Sequence, residues 1–505
     1  MAGISLPFQS CSTGQLFKHA QLETVKAWLA DPAHGALALH ARIQRAVRQL
    51  ILDGTLGVGK PLPASRALAT SLGVSRDTVE AAYGQLHAEG FIERRVGSGS
   101  FVSERARRAP GRRAATPWTG VSVSLSRRGQ ALYEGGGVRD FPAPRPFAPG
   151  VPETRSFPLA TWERLQRQVL RDHGHQALAH SPPQGMPALR RAIADYVNLE
   201  RGAQASPEQV LVLTSSQQAM ALCAQVLLDP GDTIAIEDPV YPGARKAFEA
   251  GGLRTAPIPL DAQGMQVALL QALSPAPKAV FLTPSHQFPT GVTLALERRL
   301  AVIEWARRQQ AWIIEDDYDS EFHYAGKPMA CVQGLDRHGR TIYIGTFTKS
   351  LFPGLRIGYM VLPPALVAPM TVARTLLDGH SAPLPQLTLA RFMEAGHFGA
   401  HVRAMRAVYA DRRDVLARLL RRHLGDMLTP QVPAGGMQLP CLLADELSET
   451  VLIARAARQQ IELTGLTPLH QLTPAAPGVL MGFAAYAPRE MQAAIKLLSS
   501  AWREA

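Results

Sequence analysis

Lys349 stands in the run TFTKSLFPGLRIGYM, directly after an apolar stretch, flanked by Thr346, Thr348 and Ser350 and followed seven residues later by Arg356. A lysine among hydroxyls, with an arginine close by, suits an amine held beside an anion. A lysine by itself is usually a solvated surface charge, so its company decides the reading. In IIEDDYDSEF, Asp316 and Tyr318 close a strand too apolar to be exposed, and carboxylates there need a cationic or metallic partner. TPSHQFPTG forms a strand-end turn from Thr283 to Gly291, and EDPVYPGAR offers Tyr241 as a flat aromatic wall. A metal site is the other reading of Glu315, Asp316, Asp317 and Asp319; no His or further carboxylate recurs nearby at ligand spacing, which disfavours it.

These residues need a scaffold that delivers them to one edge. Beyond residue 140 the chain alternates short hydrophobic strands (VLVLTSS, DTIAIEDP, KAVFLTP, AWIIEDDY, TIYIGTFT, IGYMVLP) with helical stretches such as QQAMALCAQVLL. That rhythm predicts a mostly parallel sheet covered on both faces, with ligands beyond the carboxyl ends of its strands. Residues 141–505 are therefore expected to form a large α/β domain.

Together these segments resemble the fold-type I pyridoxal-phosphate aminotransferases over about residues 141–500. The resemblance implies that Lys349 carries pyridoxal phosphate as a Schiff base, that Asp316 pairs with the pyridinium nitrogen, that Tyr318 hydrogen-bonds the ring hydroxyl and that Tyr241 stacks on the ring. Each role is chemically apt: an amine that loses its proton when desolvated, a carboxylate that keeps a pyridine protonated, an aromatic face for a flat heterocycle. The phosphate is expected on LTSSQQAM, where a strand end opens a helix, with Ser215, Ser216, Thr348 and Arg356 as donors. Three positions depart from the family pattern. Ser215 stands where a glycine is common, Phe288 replaces the asparagine before Pro-Thr-Gly, and Leu480 in VLMGFAAYA replaces the arginine that clamps a substrate α-carboxylate. Leu480 weighs against turnover, with Arg245 or a basic residue outside these motifs as a candidate substitute for the clamp; both an enzyme and a non-catalytic domain are compatible with the sequence.

The N-terminal quarter has a different character. Up to Asp140 there are 18 Lys and Arg against 10 Asp and Glu, so +8 of the net +12 lies there. A clustered basic excess suits phosphate neutralisation on nucleic acid, or a solvated basic face. From Leu37, apolar residues at helical spacing (Leu39, Ile43, Val47, Leu50) end at Gly54. Ser65 is expected to cap a short helix closed by Gly73, and Ser75 to cap RDTVEAAYGQLHAEG, with Val79, Ala82, Tyr83 and Leu86 as its buried stripe. Leu72-Gly73-Val74 is then the tight turn of a helix-turn-helix, which places Arg76 and Thr78 at the start of the reading helix. FIERRVGSGSFV reads as a two-stranded wing, with Gly97 and Gly99 allowing close approach to a phosphate.

PLPASRALATSLGVSRDTVEAAYGQLHAEGFIERRVGSGSFV resembles the winged helix-turn-helix of the GntR family without a gap. The resemblance implies that Arg66, Ser75, Arg76, Thr78, Arg95, Gly97 and Gly99 face double-stranded DNA. This mainly α reader joined to the aminotransferase-like domain resembles the MocR subfamily of bacterial transcription regulators. That resemblance implies a regulator that senses pyridoxal phosphate, or an amine or amino acid reacting with it, as a head-to-tail homodimer. The alternative is an active aminotransferase with an accessory DNA-binding domain.

The 505 residues exceed what one hydrophobic core sustains, so a multidomain chain is required. The expected division is an extension of open role at 1–34, the winged helix at 35–103, a basic tether at 104–140 and the cofactor domain at 141–505. In the tether, Arg105, Arg107, Arg108, Arg112 and Arg113 serve solubility or touch phosphates. Four cysteines, Cys11, Cys223, Cys331 and Cys441, lie far apart with no CxxC pair, against a disulfide framework or a zinc knuckle. No apolar run is long enough for a membrane span and no export signal opens the chain, so a soluble, cytoplasmic protein is expected.

Overall fold

The computed structural model describes residues 13–30, 38–108, 124–138, 145–324, 329–472 and 476–503; Cys11, Leu37, Arg112 and Arg113 lie outside them. The chain divides into two compact units, Met1–Ser124 and Leu125–Ala505.

The first unit holds α1 (Thr13–Ala30), α2 (Leu39–Leu52), α3 (Ser65–Leu72) and α4 (Arg76–Ala88), followed by β1 (Ile92–Arg95) and β2 (Gly99–Val102). The apolar stripe of α2 (Ile43, Val47, Leu50) meets Leu68 of α3 and Val79, Tyr83 and Leu86 of α4 in one core. Gly73 ends α3 in the left-handed region (φ +66°), so the chain reverses without Cβ strain. Ser75 caps α4, its hydroxyl accepting from the Thr78 N–H at 3.2 Å. Ser65 is the first helical residue rather than the cap: Ala64 keeps the extended backbone of the cap position (ψ 139°) and offers no side chain to the helix end. Strands β1 and β2 pair antiparallel from Ile92↔Val102 to Arg95↔Gly99.

The extension is not idle. Val25 and Leu29 of α1 are buried in the winged-helix core, and Gln21 donates from Nε2 to the Pro61 carbonyl at 3.3 Å. The stretch whose composition reads as a tether also holds a helix, α5 (Arg127–Gly135), whose Ser126 hydroxyl accepts from the Gly129 N–H at 3.0 Å. Its arginines and glycines hide a capped turn, and it falls in the larger unit.

That unit is built on an eight-stranded sheet: β3 (Val210–Leu213), β4 (Thr233–Asp238), β5 (Arg254–Asp261), β6 (Gly264–Met265), β7 (Ala279–Leu282), β8 (Trp312–Asp317), β9 (Thr341–Thr346) and β10 (Gly358–Val361). The order is β3-β10-β9-β8-β7-β4-β5-β6. Strands β9, β8, β7, β4 and β5 are mutually parallel, and β10 runs antiparallel to both β9 and β3. The connection from β9 to β10 is too short for a crossover helix, so β10 must return antiparallel. That return carries Lys349. It also leaves β3 pointing the same way as β9, so that the ends of β3, β4, β7, β8 and β9 open on one edge. A smaller antiparallel sheet, β11 (Leu428–Pro430), β12 (Gln438–Leu443), β13 (Thr464–Gly465) and β14 (Gly478–Gly482), packs with helices His397–Leu424 and Pro488–Arg503.

Because Val25 is 1% exposed within the winged-helix core, Val25→Ala is expected to lower the stability of the N-terminal unit by on the order of 2 kcal/mol. Calorimetry should show the transition of the larger unit unmoved.

Candidate functional site

The edge where the parallel strands end is a cleft of about 460 Å³. Lys349, Asp316, Tyr318, Tyr241, Ser215, Ser216, Thr348 and Arg356 all line it. Sequence positions up to 141 residues apart are brought together because each closes or follows a strand of one sheet.

Lys349 lies in the short helix Phe347–Ser350, whose first turn is fixed by the Thr346 hydroxyl accepting from the Thr348 N–H at 3.2 Å. Its Nζ donates to the Gly150 carbonyl at 2.7 Å. Gly150 sits at φ +66°, a backbone that disfavours any side chain, and a Cβ there would crowd Nζ at 2.7 Å. Arg356 also takes a left-handed backbone (φ +52°), rare for a residue with a Cβ. Ser215 caps helix Ser216–Leu227, accepting from the Gln218 N–H at 3.3 Å. The first helical N–H groups, those of Ser216 and Gln217, have no intrahelical acceptor by position and open on the cleft. With Arg356 they form an anion cradle.

The acidic run does not act as a cluster, because β8 sends its side chains to alternate faces. Glu315 accepts from the Val332 and Gln333 N–H groups at 2.8 and 2.9 Å. Asp317 is bound by Arg201 Nε at 2.7 Å and by the Tyr343 hydroxyl at 2.6 Å; burial pushes its carboxyl up, and Arg201 and Tyr343 more than reverse this. Asp319 pairs with His286 Nδ1 at 2.9 Å. Asp316 alone faces the cleft, and its buried Oδ1 has no hydrogen-bond partner. Burial, then the charges of Asp317 and Asp319, push its carboxyl up to about 7, against the opposing pull of Lys349. Among the described residues no group of three or more His, Cys, Asp or Glu side chains could hold a metal ion.

Aromatic rings bound the cleft. Phe288 meets Tyr241 edge-on at 5.4 Å between centroids and Tyr318 at 6.4 Å. The Tyr318 hydroxyl donates to the His286 carbonyl at 3.0 Å. Leu480 is fully buried on β14, packed with Leu466, Leu469 and Phe288. Arg245 does not line the cleft; its Nε lies 3.9 Å from Glu249 on the same helix, which removes it as a substitute clamp. Seven of the lining residues belong to none of these motifs: Val138, Pro149, Gly150, Gln438, Glu462, Thr464 and Leu469. Val138 lies just beyond α5, and Lys246 Nζ donates to the Gly137 carbonyl at 2.8 Å, so the end of the expected tether borders the cleft. An amine, an unpaired buried carboxylate, aromatic walls and an anion cradle suit a flat, cationic heterocycle with an anionic tail.

In the first unit, Arg66, Ser75, Arg76 and Arg95 are exposed, with Thr78 half-buried beside its cap. Arg76 opens α4, 4.0 Å from Glu80, which also takes Arg94 of the wing at 3.2 Å. The Arg95 guanidinium rests 4.5 Å from the centre of the Phe101 ring. Gly97 and Gly99 turn the wing at φ +75° and +98°.

Residues 39–102 match the model of bacterial regulatory proteins of the gntR family, and residues 153–464 that of aminotransferase class I and II. The probable rhizopine catabolism regulatory protein MocR of Rhizobium meliloti is 37% identical over 92% of this chain and 94% of its own length. The HTH-type pyridoxine biosynthesis transcriptional regulator PdxR of Corynebacterium glutamicum is 30% identical over 90% of this chain and 93% of its own. Among solved structures, Pyrococcus horikoshii kynurenine aminotransferase in complex with PMP covers 76% of the chain and 95% of its own length, with a TM-score of 0.67 and 26% identity.

An acid whose folded pKa is raised destabilises the fold as its charge is forced on, so stability falls as pH rises from about 4 through about 7. Asp316→Asn is expected to flatten that fall in the ligand-free protein. The check is the difference in melting temperature between pH values of about 5 and about 7.5 in both proteins.

Proposed function

Because the chain belongs to the MocR subfamily of GntR-type transcription regulators, with a winged helix-turn-helix joined to an aminotransferase class I and II domain, we propose that it binds operator DNA under the control of pyridoxal phosphate held in the cleft. The observation that carries this reading is the buried Asp316 oxygen left without a partner opposite the aromatic walls. A protonated ring nitrogen is the partner that such a carboxylate lacks. The rest of the donor set fits the same group: Lys349 for the aldehyde carbon, Tyr241 for the ring face, Tyr318 for the ring hydroxyl, and Ser215, Ser216, Thr348 and Arg356 for the phosphate.

When bound, pyridoxal phosphate supplies an aldehyde that condenses with primary amines. The chain's own residues do the remaining work. The Gly150 carbonyl holds the Lys349 amine at the end of β9, and Asp316, Tyr318 and Tyr241 would hold the ring. The helix N-terminus and Arg356 anchor its anionic end. Leu480 leaves no carboxylate clamp at its position, so a bound amine is sensed rather than aligned for repeated turnover. Ligand at the cleft bears on Val138 and α5, the segment that precedes the cofactor domain, and so biases two arrangements of a head-to-tail homodimer in the bacterial cytoplasm. The two reading helices then match or miss half-sites about 34–36 Å apart.

Lys349→Ala is expected to abolish the cofactor's near-ultraviolet and visible absorbance and the cofactor-dependent change in operator affinity. Equal affinity of cofactor-free, cofactor-loaded and amine-treated protein in a mobility-shift titration would refute the coupling. Arg76→Ala is expected to cost about 1–3 kcal/mol on the operator and far less on random DNA. Steady multiple-turnover transamination of common amino acids would favour the enzyme reading instead.

A further inference from the structure

Four charged side chains line the cleft among the described residues: Asp316, Lys349, Arg356 and Glu462. On the function proposed above, on which this inference rests, the cofactor engages the first three. Glu462 remains. Its Oε2 is buried and has no hydrogen-bond partner, while its backbone N–H is tied to the Pro146 carbonyl at 3.0 Å. A second unsatisfied group lies at the same end of the small sheet. Gln438 is only 6% exposed, lines the cleft, and leaves its buried Nε2 without a partner.

The strand register explains why the two occur together. Leu480 of β14 is paired with Pro440 of β12 on one side and Thr464 of β13 on the other. Gln438 precedes Pro440 by two residues and lies opposite Gly482, while Glu462 precedes Thr464 by two, just outside β13, where the segment at Pro146 and Phe147 takes its N–H and that of Gly482. Leu480, Leu469 and Phe288 pack in one apolar cluster, and Leu469 and Phe288 present it to the cleft. The position where a carboxylate clamp would stand thus offers a carboxylate acceptor, an amide donor and a hydrocarbon wall. A ligand carboxylate there would meet Glu462 charge to charge in a partly desolvated cleft. A hydroxyl or ammonium would instead satisfy an acceptor whose burial is otherwise costly.

We infer that the effector of this cleft is a small primary amine whose far end carries a hydrogen-bond donor, a hydroxyl or a second ammonium, and no carboxylate. Glu462 receives that donor. Gln438 supplies the complementary N–H when the group is a hydroxyl.

The test uses the full chain loaded with pyridoxal phosphate and four ligands that share a five-carbon skeleton: cadaverine, aminopentanol, pentylamine and aminovalerate. Affinity is read by calorimetry. At least one of cadaverine and aminopentanol is expected to bind about tenfold more tightly than pentylamine, with aminovalerate the weakest. Whichever of the two binds better identifies the donor as ammonium or hydroxyl. In Glu462→Gln, with wild-type circular dichroism as the check on folding, cadaverine is expected to lose about tenfold, whereas aminopentanol changes less because the amide oxygen still accepts from a hydroxyl. Tightest binding by aminovalerate, equal binding of all four, or a Glu462→Gln variant that leaves both favoured ligands unchanged overturns the inference. Cofactor uptake is read separately, from absorbance and from the mass of the borohydride-reduced Lys349 adduct. Normal uptake with the wrong ligand order removes this inference and leaves the proposed function standing. No uptake removes both.

Discussion

A carboxylate buried without a hydrogen-bond partner is costly, and Asp316 is held in that state by everything around it. Its acidic neighbours each have a partner elsewhere, Glu315 in two backbone N–H groups, Asp317 in Arg201 and Tyr343, and Asp319, just past β8, in His286, although one oxygen each of Asp317 and Asp319 is also buried without one. Asp316 leaves β8 on the face opposite Glu315 and Asp317, away from the partners of those two. The charge that remains is therefore aimed at the cleft. Such an arrangement costs stability rather than adding to it.

The same sheet governs the lysine. The short link between β9 and β10 forces an antiparallel return, and Lys349 rides on that return beside the parallel end of β8. Gly150, from a segment far away in sequence, supplies the carbonyl that holds the amine, in a left-handed backbone suited to glycine. Gly358 on β10 allows a similar approach: a Cβ there would stand 3.0 Å from the Ser215 carbonyl carbon, so the anion cradle at the end of β3 can lie against the return strand. Amine, acid and anion site are thus set by one sheet topology.

The reader unit rests on a different constraint, the tight turn at Gly73. It sets α3 against α4 so that Val79, Tyr83 and Leu86 point inward, with the Tyr83 hydroxyl donating to the Pro63 carbonyl at 3.0 Å, while Arg76 and Arg95 remain outside. Glu80 ties the wing to the reading helix through Arg94, so the arginine that no sequence signal marks has a positioning part and Arg95 the outward one.

Much of this is legible in the sequence. The helix-turn-helix, the wing and the strand-end motifs carry local signals: a capping serine, a glycine needing a left-handed backbone, and an apolar run closing on polar residues. These are properties of a few adjacent residues, and a linear reading captures them. Side-chain type misplaces Ser65 by one position, because the cap is decided by the backbone of Ala64. What the sequence does not contain is proximity. Gly150, Gln438 and Glu462 belong to no motif, and they enter the cleft only because separate segments and a second sheet close over the first. Likewise α1 and α5 carry weak patterns, and their places depend on the surfaces they cover. Residue type and local spacing determined the reader and the cofactor chemistry; the cleft's far wall, and with it the kind of ligand it accepts, was decided by tertiary packing, because burial alone leaves the Glu462 and Gln438 groups without partners.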